Sequence, residues 1–127
     1  MDYNSFISKV IEQDKRNILH RCDRNINYNF PNVVLDFYKN IDIVDVEIVL
    51  KDLCSIKLYN LDEIGNIQED YNVVNDSFVF ATKEGDPIII KNSGIYLGLH
   101  GITGVNETLI YKDFNDFIES ILNDMRS

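Results

Sequence analysis

The stretch Phe78-Val-Phe-Ala-Thr-Lys-Glu-Gly-Asp-Pro-Ile-Ile-Ile-Lys-Asn-Ser-Gly-Ile-Tyr-Leu-Gly-Leu99 decides the fold class. Three apolar runs, rich in β-branched and aromatic residues, are separated by Lys83-Glu84-Gly85-Asp86 and Asn92-Ser93-Gly94. Runs of about five residues bounded by glycine-containing turns predict three strands of an antiparallel meander. Pro87 has no N–H for a ladder and so belongs at a strand start; it also holds Asp86 extended.

Upstream, the periodicity becomes helical. Phe6, Ile7, Val10 and Ile11 share one face between Asp2 and Gln13, with Asp2 or Asn4 as the cap. A second helix is expected over Asp14–Arg24, with Ile18, Leu19 and Cys22 inward and Arg16, His20 and Arg24 solvated. Residues 25–29 read as a connector. Phe30-Pro31 opens a third helix, with Pro31 in its first position and Val34, Leu35, Phe37, Tyr38 and Ile41 as a core stripe.

The period then falls to two. Between Ile43 and Leu50, the residues Val44, Val46, Ile48 and Leu50 are expected inward, and Asp45 and Glu47 form an acidic outer face. A further strand is expected over Ser55–Tyr59, a short helical turn over Leu61–Gln68 and a polar loop over Glu69–Asp76. Gly101–Glu107 reads as a loop, and Leu109–Tyr111 as a last extended piece. Downstream, Phe114, Phe117, Ile118, Ile121, Leu122 and Met125 lie on one face of a C-terminal helix capped by Asp113 or Asn115. The expected class is therefore α+β, one domain over residues 1–127, with N-terminal helices, a central antiparallel meander and a C-terminal helix packed on the sheet. A chain of 127 residues buries enough surface for one core without staples.

The net charge is −9, and it is unevenly spread. Residues 1–30 carry five basic and four acidic residues, whereas 40–76 carry nine acidic residues against Lys51 and Lys57. Such a field repels nucleic acid and anionic membrane and steers basic partners inward. No window reaches the roughly 18 apolar residues of a membrane helix, and Asp2, Lys9 and Glu12 interrupt any apolar leader. Cys22 and Cys54 are too few for a disulfide framework and are expected as small core residues in a reducing, cytoplasmic setting.

Little of the sequence reads as catalysis. Gly98, Gly101 and Gly104 surround His100, but no Lys-Ser/Thr follows, so no phosphate loop is read there. His100 with Glu84 or Asp86 is the only triad-like material near the meander, and it lacks a sequence-recognisable nucleophile. His20 and Cys22 point to different helix faces and do not make a zinc site. The pairs Asp62-Glu63 and Glu69-Asp70 lack calcium-loop spacing and read as a solvated acidic face that doubles as a surface for Lys and Arg. Neither cofactor nor metal is expected.

The order of elements resembles the SUKH superfamily, which includes fungal cell-wall-assembly regulators and bacterial toxin-immunity proteins. Phe30-Pro31 through Phe37-Tyr38-Lys39-Asn40 resembles the family's Leu-Pro…Tyr…Phe-Leu helix. Phe78–Leu99, with Gly85-Asp86-Pro87 between strands, resembles its meander and glycine-aspartate turn. Tyr111–Leu122, with Phe114 and Phe117, resembles its terminal Ser-Phe-x-x-Phe-Leu helix. Two departures stand out: Asn40-Ile41-Asp42 replaces a frequent Asn-Gly-Gly, and tryptophan is absent.

The resemblance implies no catalytic residue. It implies a protein-binding scaffold, commonly one that neutralises a cognate toxin, often a nuclease; the acidity of the chain suits a toxin domain with a basic face. The carboxylates expected to contact it are Asp42, Asp45, Glu47, Asp62, Glu63, Glu69, Asp70 and Glu84. The alternative is a regulatory interaction module with an endogenous partner.

Overall fold

The structure, a computed structural model, describes residues 1–71, 73, 76–98 and 107–127. In chain order the elements are α1 (Tyr3–Gln13), β1 (Ile18–Arg21), α2 (Asn32–Asn40), β2 (Ile41–Val49), β3 (Ser55–Leu58) and α3 (Leu61–Asp70). They continue with β4 (Ser77–Lys83), β5 (Asp86–Lys91), β6 (Gly94–Leu97), β7 (Thr108–Tyr111) and α4 (Phe114–Asp124). The strands form one sheet in the order β1-β2-β3-β4-β5-β6-β7, each antiparallel to its neighbours. The meander expected of three strands therefore extends through all seven. The α+β class holds, and α4 packs on β6 and β7.

Local chemistry explains most boundaries. Asp2 caps α1 through Ser5 N–H at 3.0 Å, Asn60 caps α3 through Glu63 N–H at 2.8 Å, and Asp113 caps α4 through Asp116 N–H at 2.8 Å. Pro31 stands one position before α2 rather than inside it, and its carbonyl accepts from Val34 and Leu35. Both hairpin turns of the meander have two central residues at positive φ: Glu84 (50°) with Gly85 (84°), and Asn92 (49°) with Ser93 (68°). That is the type I′ requirement, whose twist matches the flanking strands.

The core centres on Phe37 of α2. Its ring makes edge-to-face contacts with Phe6 of α1, Tyr38, Phe80 of β4 and Phe114 of α4, with centroids 5.3–5.9 Å apart. Phe80 is the extra residue of a β-bulge: Val79 pairs with Ile89 and Ala81 with Ile88.

Several expectations are corrected. Residues 14–24 are not a helix. Asp14 leaves α1 in an extended conformation, its side chain turns the chain through Arg16 N–H, and Ile18–Arg21 pairs with β2. Ile18, expected inward, is exposed; Leu19 is the buried residue. Arg24, expected solvated, is half-buried and donates to the Tyr38 carbonyl at 2.8 Å.

Val44 was expected inward and is exposed. It is a bulge residue, since Leu19 pairs with Ile43 and Ile18 with Asp45. The inward phase is Ile41 and Ile43 before the bulge, and Val46 and Ile48 after it. The segment expected as one helical turn is a ten-residue helix that takes in Glu69 and Asp70. Neither cysteine is in the core; both are free and half-buried.

Among the described residues, side-chain amides replace strand partners where these run out at Glu47, Val49 and Val79. Asn17 accepts from Glu47 N–H and Gln13 accepts from Val49 N–H, where β2 continues past β1. Gln68 of α3 accepts from Val79 N–H and donates to the Val79 carbonyl, both at 2.8 Å, where β4 continues past β3. An amide carries a donor and an acceptor at the spacing a neighbouring strand would present.

Candidate functional site

The eight carboxylates do not form one patch. Asp42 is half-buried and already paired, with His20 Nε2 at 3.2 Å and Arg24 Nη1 at 3.4 Å. Glu84 accepts from Ser55 N–H at 2.7 Å, while its own N–H donates to the Ser55 carbonyl. That carboxylate staples the β4–β5 turn to β3. These two residues therefore have structural work that sequence reasoning missed.

Asp45 and Glu47 are exposed on the outer face of β2. Glu47 stands opposite Lys57 of β3, and both acids border a recess shared with Asp14 and Arg16. Arg16 grips Asp14 through Nε and Nη2 at 2.7–3.2 Å, and this pairing holds the Asp14 carboxyl down to about 2. The charge of this zone is thus partly offset.

Asp62 and Glu63 occupy the first turn of α3, and Glu69 and Asp70 its last; all four are exposed. A helix of this length spans about 15 Å, so the two pairs lie at opposite ends. The N-terminal pair complements the helix dipole. The C-terminal pair opposes it, and no basic residue stands in the last turn. The carboxylates of each pair do not converge on a common point, since adjacent helical residues diverge.

The residues that carried the resemblance are placed structurally. Phe30 packs on Phe78 with centroids 4.9 Å apart and stacks on Tyr28. Phe37, Phe114 and Phe117 belong to the aromatic core. Gly85 holds the turn at positive φ and its carbonyl accepts from Tyr71 Oη, while Asp86 opens β5 beside Pro87.

An open cleft of about 1040 Å³ lies between the Phe30-Pro31 lead, α3, the start of β4 and the β5–β6 turn. No motif announced it, because its walls come from four separate stretches of the chain.

Among the described residues, no group of three His, Cys, Asp or Glu side chains could hold a metal ion, and no helix is long and apolar enough to cross a membrane. His100, Gly101 and Gly104 lie outside the described residues. Burial pushes the Cys22 thiol upward, away from a reactive thiolate. No family model matches the chain, and comparison with curated proteins and with solved structures finds no match either.

Proposed function

We propose that this chain is a non-enzymatic, immunity-type protein that binds and neutralises a cognate toxin domain through its acidic surface. The observation that carries this reading is α3, which exposes four carboxylates and contains no Lys or Arg. Glu69 and Asp70 weaken the end of their own helix, and a cationic partner placed there would offset that cost. A nuclease presents a basic groove to phosphates, and an acidic folded surface occupies such a groove with fast, salt-sensitive association. The SUKH-like order of elements supports the same class of function.

The test is co-purification of the tagged protein from its own cells at low and high salt, followed by the triple reversal Asp45→Lys, Glu47→Lys and Asp70→Lys. These positions are chosen because none makes a cap or a turn bond. A basic toxin domain lost as salt rises, with capture at low salt weakened about tenfold or more (about 1.4 kcal/mol) in the triple variant, is the expected result. A salt-resistant complex with an endogenous protein, and no toxin neutralised, would replace immunity with regulation.

A further inference from the structure

We propose that the cleft beside α3 seats an extended partner segment in which an apolar side chain is flanked by Lys or Arg. This proposal rests on the protein-binding reading above and names where that binding is anchored. Buried Phe78 and Ile90 with half-buried Phe30 form an apolar floor, and the exposed Glu69 and Asp76 stand at its edge among uncharged polar residues. None of its described lining residues is Lys or Arg. An apolar floor with an acidic rim and no internal cation is complementary to a segment of that chemistry and repels an acidic one.

Gly65 supplies the second argument. It lies in the interior of α3, is exposed and lines the cleft. A Cβ built there meets nothing within 4 Å. Packing therefore does not require glycine, and Ala would strengthen the helix. A glycine that weakens its own helix without a packing reason fits a position where another backbone comes close. The Ser77 hydroxyl, also at the cleft, is buried without a hydrogen-bond partner among the described residues.

The experiment is a ¹⁵N–¹H titration of the intact chain with acetyl-Lys-Phe-Ser-Arg-amide, and with acetyl-Glu-Phe-Ser-Asp-amide as the charge-inverted probe. The basic peptide should shift the amides of Gly65, Gln68, Ser77 and Ser93, and the acidic one should bind at least tenfold more weakly. Gly65→Leu should weaken the basic peptide about tenfold while the melting temperature stays level or rises. Gly65→Ala should raise the melting temperature by a few degrees with a smaller loss of binding.

Shifts centred on the outer face of β2, equal binding of both peptides, or no shift at millimolar peptide would overturn the proposal. So would concentration-dependent self-association lost in Gly65→Leu, because it would assign the cleft to a second copy of the chain. The two readings fail separately. Capture and neutralisation of a toxin domain equally well by Gly65→Leu would remove the cleft and leave immunity standing. A peptide seated in the cleft with no toxin neutralised would do the reverse.

Discussion

The two regions of the sheet solve burial differently. In β4 and β5 consecutive residues are buried: Phe78, Val79, Phe80 and Ala81 on one strand, and Ile88, Ile89 and Ile90 on the other. Successive strand residues point to opposite faces, so both faces are covered here. In β1 and β2 only one face is. Leu19, Ile41, Ile43, Val46 and Ile48 point inward, while Ile18, His20, Val44, Asp45 and Glu47 are exposed. One continuous meander thus has an anchored centre and a solvated margin. Asp45 and Glu47 lie on that margin, whereas the four carboxylates of α3 lie on the helix that covers β4.

The largest expected effect is at the centre. Phe80→Ala should cost roughly 3–5 kcal/mol in urea denaturation, because the ring contacts Phe37, Phe114 and Phe117 and leaves a cavity among them. The margin counterpart, Val44→Thr, should stay within about 0.5 kcal/mol. Comparable losses at the two sites would break the distinction.

Gln68→Leu comes next, at about 1–3 kcal/mol, since it leaves Val79 N–H and C=O without partners beside a buried strand. Gln68→Glu should recover only part of that loss, because a carboxylate accepts from the N–H and cannot donate to the carbonyl. The equivalent change at the margin, Gln13→Leu, should cost less. The Val49 carbonyl keeps the Arg126 N–H as a second donor.

At the margin, Asp42→Asn should cost less than about 1 kcal/mol, the usual range for partly exposed ion pairs, and the cost should shrink with added salt. The smallest effect is alkaline. Burial, followed by the hydrogen bond to Asp36, pushes the Tyr3 hydroxyl up to about 12. The neutral phenol is thus favoured in the folded state. Its contribution is complete below the ordinary tyrosine value near 10 and is lost as pH rises through about 12. Tyr3→Phe should remove that share of the alkaline loss of stability, together with the late step in the tyrosine absorbance titration that belongs to this ring.

Legibility in the sequence follows the range of the interactions involved. Both tight turns of the meander were readable, as were caps at Asp2 or Asn4 and at Asp113 or Asn115, because each is settled by residues three or four apart; the structure takes Asp2 and Asp113. The inward phase of α4 and the acidic outer face of β2 were readable from periodicity alone. Residues 14–24 were not. Ile18-Leu19 suits a helix or a strand equally, and the choice lay with pairing to residues more than 20 positions later.

Part of the candidate site was legible as well. Asp45, Glu47, Asp62, Glu63, Glu69 and Asp70 are exposed as expected. Asp42 and Glu84 are occupied by His20, Arg24 and Ser55, partners their own neighbourhoods did not reveal.

By itself, then, the amino-acid sequence determined the class of fold, the starts of α1 and α4, the sharp turns of its meander and the sign of its surface. These depend on local propensity, period and composition, which act within a few residues. Only the tertiary structure decided that Val44 and Phe80 would bulge, that β4 and β5 would be covered on both faces, and that amides would stand in for missing strands. It alone assembled the cleft between Phe30, α3 and β4. Each of these needs segments far apart in the chain to meet, and their meeting depends on how the whole core packs.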